Sequence, residues 1–570
     1  MSMSLKILLT AINAKYIHSN LAVYSLHSYA VDHHKEYQEE IEIAEYTINQ
    51  QVDEILMDLY KKKPDVLCLS CYIWNIQYVK QLLPEIHKIL PKTEIWLGGP
   101  EVSYDVRKEM NEFPQLRGVM CGEGEVTFLE LVEHYHGTGK ELKEIAGICY
   151  REGDEIIQTE LRPVTDLSTI PFVYEDIDKF KNKIIYYESS RGCPFSCSYC
   201  LSSIDKCLRF RDLELVKKEL QYFIDNEIPQ VKFVDRTFNC NHKHAMEIWT
   251  YLLEHDNGKT NFHFEVAADL LNKEEIELIA QMRPGLIQLE IGVQSTNPKT
   301  VKEIHRTMKF EKVSEIVKQI QSVGNIHQHL DLIAGLPYED YESFRKSFND
   351  VYALRPEQLQ LGFLKVLKGS YMEEQTENYE LVYQNRPPYE VLSTKWLPYE
   401  NVIRLKGVEE MVEVHYNSGQ FVNTLELLES EFVDAFTMFE ALRDYYDKHD
   451  LNGISHTRIA RYEILYQFAL EKAPEKKELY REKLTYDLYL RENVKNRPAF
   501  AGESTVSKEE AAEIYDREAE THELLPDYTK YDKRQLRKMT HLERVDGRIL
   551  LFDYQNRSKL TNQARVCLAK

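Results

Sequence analysis

The sequence lacks the usual features of a membrane, secreted or disordered protein. It has no uninterrupted apolar run of about 18 residues, so it predicts no membrane-spanning helix. The first residues, Met1 to Lys6, lack the basic, apolar and small-residue order of a signal peptide. No Gly/Ser-rich or Pro-rich linker and no low-complexity segment interrupts the chain. We therefore expect its domains to pack directly against one another.

The cysteine content also excludes a disulfide-stabilised fold. Ten cysteines in 570 residues are unevenly spaced and form no disulfide framework, so we expect a reducing, cytoplasmic location. The formal net charge of −22 argues against a nucleic-acid partner bound over a large surface. With 43% apolar residues the chain can form several cores, and at about 100–200 residues per domain we expect three or four domains.

What the chain does have is a short cysteine loop directly after an apolar run. Cys193, Cys197 and Cys200 follow Ile184 to Tyr187, which has the pattern of a buried strand. One tight loop can therefore aim three thiolates at a common point. Thiolates are the usual ligands of iron–sulfur clusters, and a cubane cluster takes four ligands. Three protein ligands leave one iron open for a group that is not protein.

A zinc site and a chance pattern are the alternatives for this loop. Structural zinc needs a fourth ligand and is usually bound by paired Cys-x-x-Cys units, and Cys207 could close such a site. The spacing Cys-x-x-x-Cys-x-aromatic-Cys favours the cluster because it is far more specific than one cysteine pair. A separate pair, Cys68 and Cys71, begins inside an apolar strand, so we interpret Cys68 as a buried packing residue.

The loop resembles the cluster loop of the radical S-adenosylmethionine (radical SAM) enzymes. The resemblance implies that Cys193, Cys197 and Cys200 hold a [4Fe-4S] cluster whose open iron chelates S-adenosylmethionine. In that family the cluster reduces the cofactor to a 5′-deoxyadenosyl radical. The resemblance also implies that Tyr199, the aromatic residue before the third ligand, lies near the adenine.

The N-terminal third alternates short apolar runs with helix-period segments. The apolar runs predict five strands, at Lys6–Thr10, Glu40–Glu45, Val66–Cys71, Glu94–Leu97 and Gly118–Met120. This alternation predicts a parallel sheet with helices on both faces, which binds ligands at the carboxyl ends of its strands. Polar or glycine-rich loops follow four of these strands, although helix-start chemistry explains any one of them alone.

Together these loops resemble the cobalamin-binding domain of a large branch of radical SAM enzymes, chiefly in their Gly-Gly-Pro-Glu and Gly-Glu-Gly-Glu turns. The resemblance implies a cobalamin site built from Asn13, His18, Ser70, Tyr72, Trp74, Gly98, Gly99, Glu101, Gly122, Glu123, Gly124 and Glu125. The Asp-x-His-x-x-Gly signature, through which other cobalamin domains ligate cobalt, is absent. We therefore expect no cobalt ligand from that signature and interpret His18 as a solvated or capping residue. Tyr72 or Trp74 could instead cover the lower face of the cofactor.

The middle third repeats the strand–helix alternation. It predicts six strands, at Ile184–Tyr187, Val231–Val234, His263–Ala267, Leu286–Ile291, Leu330–Ala334 and Leu359–Val366. Six repeats are too few for a closed eight-stranded barrel, and a partial barrel is what the radical SAM family uses. The resemblance implies an S-adenosylmethionine site formed by Tyr199, Asp235, Glu265, Glu290, Gln294, Ala334 and Gly335.

Several charged residues of this third allow two interpretations. A glutamate inside an apolar strand is costly unless it is paired or faces a polar cavity, which makes Glu265 and Glu290 cavity candidates. Glu339 lies outside such a strand, so we expect it at the surface. Arg209 and Arg211 either flank the cofactors or form a surface pair at the entry to a helix.

The strand–helix alternation stops after about residue 371. Aromatic and aliphatic residues at helical spacing, such as Phe436 to Leu442 and Tyr462 to Phe468, predict a mainly helical region, and Ile549–Tyr554 predicts a strand. A basic patch, Lys530 to Lys538, is either a solvated helix face or a contact for a polyanionic substrate or partner. The region resembles an uncharacterised extension of some cobalamin-dependent radical enzymes, which implies no activity for it.

These patterns predict an α/β protein of four segments. They are a Rossmann-like cobalamin-binding domain over residues 1–140, a connecting segment over 141–182, a partial (β/α)6 radical SAM barrel over 183–370 and a mainly α-helical domain over 371–570. The resemblance implies that the cluster, S-adenosylmethionine and cobalamin meet between the first and the third of these segments.

The resemblance implies an enzyme that methylates an unactivated carbon by means of a 5′-deoxyadenosyl radical and methylcobalamin. A cobalamin-assisted rearrangement, cyclisation or oxidation without methyl transfer is the alternative. A non-catalytic cobalamin and redox sensor is a third. The expected partners are a small-molecule or peptide substrate and an external one-electron donor of the flavodoxin or ferredoxin type. The sequence identifies neither the substrate nor a catalytic side chain.

Overall fold

The computed structural model describes residues 5–201 and 205–570. Residues 1–4, which begin the segment compared above with signal peptides, lie outside the described residues. Within the described ranges, no helix is both long enough and apolar enough to cross a membrane.

The N-terminal unit is a seven-stranded sheet with helices on both faces. Its elements are β1 (Ile7–Asn13), α1 (Leu21–His33), β2 (Ile41–Thr47), α2 (Val52–Lys62), β3 (Val66–Ser70), α3 (Ile76–Ile89), β4 (Glu94–Gly98), α4 (Val106–Glu112), β5 (Leu116–Met120), α5 (Glu125–His136), β6 (Ile148–Glu152) and β7 (Glu155–Gln158). Alternate residues of β1 enter different cores, Leu8 on one face and Leu9 on the other. A parallel strand buried on both faces reads as a continuous apolar run, which is why the sequence predicts it correctly.

The strand order β2-β1-β3-β4-β5-β6-β7 makes the five predicted strands parallel to one another. The connections from β1 and β3 run in opposite directions, so a topological switch point lies between them, where such sheets bind ligands. The antiparallel hairpin β6–β7 continues the same sheet, because β6 pairs with β5 and buries Ile148, Cys149 and Tyr150. The sheet therefore extends into the expected connecting segment, through a hairpin that turns at Gly153 and Asp154.

The second unit is a partial barrel of six parallel strands. Its elements are β8 (Ile185–Tyr187), β9 (Ser190–Arg191), β10 (Arg209–Phe210), α6 (Leu213–Asp225), β11 (Gln230–Phe233), α7 (His242–Glu254), β12 (Asn261–Val266), α8 (Lys273–Ile279), β13 (Ile287–Gln294), α9 (Pro298–Glu303), α10 (Phe310–Val323), β14 (His327–Ala334), α11 (Tyr341–Tyr352) and β15 (Gln358–Phe363). The order β15-β14-β13-β12-β11-β8 confirms the predicted six-stranded barrel.

Other parts of the chain cover both open edges of this barrel. At the β8 edge, Ile184 N donates to Ile17 O at 2.8 Å, and His18 forms a parallel bridge with Ile184. At the β15 edge, Leu359 N donates to Asn417 Oδ1 and Asn417 Nδ2 donates to Leu359 O, both at 2.9 Å. The flanking units thus occupy hydrogen-bonding groups that an open sheet edge would expose.

The C-terminal unit is mainly helical. Its elements are α12 (Tyr371–Glu374), β16 (Val382–Tyr383), β17 (Val391–Ser393), α13 (Tyr399–Met411), a π-helical turn (Val412–Asn417), α14 (Val422–Glu429), α15 (Ala435–Lys448), α16 (Arg458–Lys472), α17 (Lys477–Arg491), α18 (Lys508–Thr521), α19 (Lys533–Met539), β18 (Thr540–Val545), β19 (Arg548–Arg557) and β20 (Ala564–Leu568). Phe436, Phe439, Tyr462 and Phe468 are fully buried, which confirms the predicted helical core.

The end of the chain forms a three-stranded antiparallel sheet, where the sequence predicted one strand. The central strand β19 contains the predicted apolar run. Its two neighbours, β18 and β20, are only partly buried and mix polar with apolar residues, so they lack the apolar signal.

Candidate active site

A cavity of about 200 Å³ opens at the carboxyl end of the barrel strands. The cysteine loop forms one wall and the strand ends form the other. Its lining includes Cys193, Phe195, Cys197, Tyr199, Cys200, Arg236, Thr237, Glu265, Asp269, Glu290, Gly292, Gln294, Arg306, Met308 and Asp331. Of the residues predicted for the cluster and for S-adenosylmethionine, the structure brings seven to this one cavity, namely Cys193, Cys197, Tyr199, Cys200, Glu265, Glu290 and Gln294.

The cysteine loop is held in shape by its backbone. Gly192 has a φ of +89°, and a Cβ at this position would lie 2.6 Å from Cys207 O, so only glycine lets the two segments approach so closely. Cys193 N donates to Asp205 O at 3.0 Å, and Cys200 N donates to Cys197 O at 3.1 Å. Cys207, the candidate fourth zinc ligand, is exposed and does not line the cavity. The arrangement favours a three-thiolate cluster site.

Arg306 connects the cysteine loop to the barrel, and the sequence analysis missed it. Its Nη1 lies 3.1 Å from Tyr199 Oη and 3.7 Å from Cys197 Sγ, and its Nη2 donates to Gly292 O. A guanidinium beside a thiol stabilises the thiolate, which is the form that binds iron. Arg306 follows a short helix far along the chain from the cysteines, so no local pattern marks it.

The lumen below the cavity is polar, unlike the apolar layers that usually fill such barrels. The strand register places Lys232 beside His263 and Glu290 between Glu265 and His329. Lys232 Nζ lies 3.0 Å from Glu290 Oε2, and His263 Nε2 lies 2.9 Å from the same oxygen. Burial would raise the pKa of Glu290, but His263 and Lys232 hold it at about 2.

A second pair lies beside this group on β14. His329 Nε2 lies 3.0 Å from Asp331 Oδ1. Although burial disfavours its charged form, the pKa of His329 is raised by Asp331. The sequence signal for these lumen residues was the alternation on β13 of apolar residues with polar residues or glycine, but partners on other strands cannot be identified without the register.

Glu265 and Gln294 are two cavity residues with unused acceptors. Glu265 makes no hydrogen bond or ion pair with the described residues, and burial together with the charge of Glu290 raises its pKa to about 7. Gln294 ends β13 with a φ of 71°, and its Oε1 is buried without a donor among the described residues. Strained positions with unused polar atoms are frequent at functional sites. These residues fit a bound cofactor or substrate.

Three residues predicted for S-adenosylmethionine do not line the cavity. Asp235 accepts hydrogen bonds from Ser189 N at 3.0 Å, Ser189 Oγ at 2.7 Å and Ser190 Oγ at 2.5 Å, so its carboxylate anchors the strand before the cysteine loop. Burial raises the pKa of Asp235 to about 6. Ala334 is buried beneath the strand end, and Gly335 packs against Val391. Their contact with the cofactor stays a prediction.

One expectation about a charged residue was wrong, and one of the two alternatives for an arginine pair is excluded. Glu339 is 1% exposed rather than at the surface. Its carboxylate accepts a hydrogen bond from Ser347 at 2.8 Å, which offsets part of the cost of burial. Burial raises the pKa of Glu339 to about 7. Arg211 is also buried and forms an ion pair with Glu219, so Arg209 and Arg211 are not a surface pair. Arg209 is paired with Glu123 of the N-terminal unit.

The acidic turn after β5 docks onto the cysteine loop. Arg191 Nη1 lies 3.2 Å from Glu123 Oε1, and Arg191 Nη2 lies 2.9 Å from Glu125 Oε1. Arg191 is also paired with Glu188 at 2.7 Å. The structure therefore uses Glu123 and Glu125, both predicted for cobalamin, as contacts between the two units. Gly122, directly before Glu123, has open space around a would-be Cβ, whereas Gly124, between the two glutamates, packs against Leu26.

The loop after β1 also docks onto the barrel. His18 Nδ1 lies 2.6 Å from Tyr186 Oη, so this histidine is tied to the barrel rather than solvated or capping. Asn13 Nδ2 donates to Glu45 Oε1 at 2.8 Å, and Glu45 in turn pairs with Lys183 at 2.6 Å. These contacts fix the carboxyl end of β1 beside β8.

The turn after β4 contacts the segment that follows the barrel. Glu101 is buried, pairs with Lys368 at 3.1 Å and accepts a hydrogen bond from Tyr389. Gly99 has a φ of +112°, and a Cβ there would lie 2.4 Å from Cys71 O, which requires glycine. Gly98 O accepts a hydrogen bond from Cys71 N at 2.7 Å. The turn is thus held between β3 and the C-terminal unit.

Aromatic rings lie at the switch point of the N-terminal sheet. Tyr72 and Trp74 stack with ring centroids 4.4 Å apart, and Trp74 is 41% exposed. The Trp74 indole donates to Ile12 O at 3.1 Å, and Ser70 accepts a hydrogen bond from Asn20. Burial raises the pKa of Tyr72, whereas the positive charge of Arg236, which lines the cavity, lowers it. An exposed aromatic surface beside an open glycine turn fits a large, flat cofactor such as cobalamin.

Comparisons with known proteins agree with this arrangement. The B12 binding domain profile matches residues 7–132, the radical SAM superfamily profile matches 187–351, and a protein family of unknown function, DUF4080, matches 377–568. An uncharacterized methyltransferase of Pyrococcus horikoshii is 29% identical over 43% of this chain and 55% of its own length. The cobalamin-dependent radical SAM methyltransferase TokK of Streptomyces tokunonensis is 24% identical over 67% of this chain and 62% of its own.

A solved structure shows the same fold. The cobalamin-dependent S-adenosylmethionine radical enzyme OxsB, with aqua-cobalamin and S-adenosylmethionine bound, aligns with a TM-score of 0.59 at 15% identity, over 85% of this chain and 83% of its own. The chain spans little more than half the length of the two curated relatives. The matched domains imply a [4Fe-4S] cluster, S-adenosylmethionine and cobalamin as cofactors. The chain therefore joins a B12 binding domain to a radical SAM domain, the combination of the cobalamin-dependent radical SAM enzymes, and residues 377–568 match a family of unknown function.

Proposed function

We propose that this chain is a cobalamin-dependent methyltransferase that acts on an unactivated carbon of a small-molecule or peptide substrate. The proposal is supported by the position of Tyr72 of the N-terminal unit beside Arg236 of the cavity wall. Tyr104, after β4, lies close enough to this wall for Cys200, together with burial, to raise its pKa. The aromatic surface and the cysteine cavity therefore border one another.

When bound, the cluster and S-adenosylmethionine supply a hydrogen-abstracting radical, and cobalamin supplies a methyl group. The residues of the chain bind, orient and enclose these groups. We assign Cys193, Cys197 and Cys200 to the cluster, with Arg306 stabilising the Cys197 thiolate. Tyr199, held by Arg306, is placed to pack against the adenine.

The barrel wall has a different role. Gln294 and Glu265 offer acceptors to donors of the cofactor or substrate, while the paired Glu290 keeps its charge. The Tyr72–Trp74 stack provides the apolar surface that we assign to cobalamin. Arg191, held by Glu123 and Glu125, keeps the two walls together and limits the access of water.

Turnover assays on the reconstituted protein test this proposal. With a reductant, S-adenosylmethionine and extract of its own cells, we expect both 5′-deoxyadenosine and S-adenosylhomocysteine. Cys197→Ala removes a cluster ligand, so iron content and 5′-deoxyadenosine formation should fall below about one tenth, whereas Cys207→Ser, at an exposed cysteine, should leave both unchanged. 5′-Deoxyadenosine without S-adenosylhomocysteine or a methylated product would favour rearrangement, cyclisation or oxidation. The absence of both 5′-deoxyadenosine and S-adenosylhomocysteine would favour a sensor.

We also propose a cytoplasmic setting and an external one-electron donor of the flavodoxin or ferredoxin type. None of the ten cysteines forms a disulfide within the described residues, which suits a reducing compartment. The proposed cluster needs one electron per turnover, and the chain offers no second cysteine loop of the same spacing to supply it.

A further inference from the structure

The segment that leads from the barrel into the C-terminal unit, residues 365–391, reaches the turn after β4 through two side chains. Tyr389, which lies in the region of unknown function, donates to the carboxylate of Glu101. Lys368 Nζ lies 3.1 Å from Glu101 Oε1 and 3.4 Å from Oε1 of Glu109 in α4. Glu101 and Glu109 are 7% and 3% exposed, so this segment compensates two buried carboxylates of the N-terminal unit.

The backbone of the segment sets the position of Tyr389. Its φ of 56° lies in the left-handed region, which is uncommon for an aromatic residue. The Tyr389 carbonyl accepts a hydrogen bond from Val366 N at 3.0 Å, and Lys365 forms an antiparallel bridge with Glu390. The Lys368 ammonium lies 5.6 Å from the centre of the Tyr389 ring. Strained positions held by their surroundings are frequent at functional sites, so Tyr389 is expected to do more than fill space.

Glu101 connects these contacts to the aromatic surface that we assign to cobalamin. Glu101 N donates to Cys71 O at 3.4 Å, and Cys71 N donates to Gly98 O at 2.7 Å. The turn is therefore hydrogen-bonded to both backbone groups of the residue directly before Tyr72. Because Tyr72 stacks on Trp74, a shift of the turn would also move this stack.

We propose that Tyr389 and Lys368 are positioning residues for cobalamin, which hold the turn after β4 and the Tyr72–Trp74 stack in the shape that binds the cofactor. Glu101 then acts on cobalamin through the turn, because its carboxylate is buried and engaged by the two positioning residues. The inference rests on the proposed place of cobalamin at the switch point. It gives the region of unknown function a role in cofactor affinity.

Titration of hydroxocobalamin into the full chain, reconstituted with its cluster and free of cobalamin, tests the inference by absorbance. Tyr389→Phe keeps the ring and removes only the donor. If the turn then keeps its binding shape about a tenth of the time, the Kd should rise about tenfold. Lys368→Met should raise the Kd at least as much, whereas Lys368→Arg, which keeps the charge, should stay within about threefold. If Lys368→Met fails to fold, Tyr389→Phe decides alone.

A matched control separates positioning from general stability. Glu429 of α14 accepts a hydrogen bond from Tyr352 of α11 and pairs with Arg355, whose guanidinium lies 4.6 Å from the Tyr352 ring. This group repeats the pattern of Glu101 at another contact between the C-terminal unit and the rest of the chain. Tyr352→Phe should lower the unfolding midpoint about as much as Tyr389→Phe but change the Kd for hydroxocobalamin less than about twofold. An equal loss of affinity in both variants would overturn the inference.

The double variant Glu101→Gln/Tyr389→Phe separates an indirect role of Glu101 from direct contact with cobalamin. Since both substitutions release the same turn, the double variant should bind hydroxocobalamin about as weakly as the weaker single variant. Losses that multiply would show direct contact by Glu101 and overturn the inference, as would an unchanged Kd in Tyr389→Phe.

These binding measurements are independent of turnover. A protein whose cobalamin affinity depends on Tyr389 but which forms no methylated product would refute the proposed function and leave the positioning role established. A methyltransferase whose cobalamin affinity does not depend on Tyr389 would refute the positioning role alone.

Discussion

Arg191 is the side chain through which the cobalamin-binding unit and the cysteine loop depend on each other. It lies directly before Gly192 and Cys193 and is held by three carboxylates, those of Glu123, Glu125 and Glu188. Its side chain is 21% exposed, and that of Glu125 is 6% exposed. Replacement by methionine keeps the apolar stem and removes the charge.

The expected loss of stability follows from the carboxylates that Arg191→Met leaves without a positive partner. Removing one partner of a buried ion pair costs about 3–5 kcal/mol, and the partial exposure of Arg191 places it at the lower end, about 3 kcal/mol. At about 2–4 °C per kcal/mol for a domain of about 150–250 residues, Arg191→Met should lower the unfolding midpoint by about 6–12 °C. Glu125→Gln in the same protein should recover part of this loss, because it removes a carboxylate left unpaired.

Thermal unfolding of the unchanged protein, the single variants Arg191→Met and Glu125→Gln, and the double variant gives the coupling energy between the two side chains. We expect this energy to be about 2 kcal/mol. Binding of hydroxocobalamin and iron content should fall in Arg191→Met. A matched control is Arg283→Met, whose side chain is 23% exposed and pairs with Asp256 within the barrel. It should lose stability but keep cobalamin and iron. The coupling would be refuted if the two substitutions changed the free energy of unfolding additively within about 0.5 kcal/mol. It would also be refuted if Arg283→Met lost as much cobalamin and iron as Arg191→Met.

Two other predictions concern the site itself. Gly192→Ala combines a positive φ with a Cβ 2.6 Å from a carbonyl oxygen, so it should destabilise the protein by about 2–3 kcal/mol and reduce iron content, whereas Gly153→Ala, with nothing within 4 Å, should cost only about 1 kcal/mol. Glu290 has a pKa of about 2, below that of the unfolded chain, so it contributes stability above about pH 4.5 that is lost as pH falls toward 2. Lys232→Met should remove about 1–2 kcal/mol of that contribution to the free energy of unfolding. If the unchanged apoprotein and the Lys232→Met apoprotein showed the same pH dependence of unfolding between about pH 2 and 6, this prediction would be contradicted.

The cluster site could be predicted from the sequence because its ligands are local. Cys193, Cys197 and Cys200 lie in one loop, and their spacing alone limits what they can bind. Strands buried on both faces were equally visible, since each is a short apolar run. Glu265 and Glu290 were identified as cavity residues because a carboxylate inside an apolar strand needs an explanation.

The rest of the site depends on register and tertiary contact. Lys232 and His329 meet Glu290 only because β11, β13 and β14 align as they do. Arg306 reaches the cysteine loop from a segment about a hundred residues away, and Glu339 is buried by a serine of the following helix. No local pattern distinguishes such residues from surface charges, which is why Glu339 was misplaced.

The covered edges of the barrel explain why the three units occur in one chain. A six-stranded barrel exposes the hydrogen-bonding groups of β8 and β15, and an uncovered edge favours pairing with other chains. The loop after β1 covers one edge through Ile17, and the π-helical turn covers the other through Asn417. The two flanking units also contact one another, since Tyr389 of the C-terminal unit donates to Glu101 after β4. The extension of unknown function therefore completes the barrel and braces the turns expected at cobalamin, so its removal should disrupt the site as well as the fold.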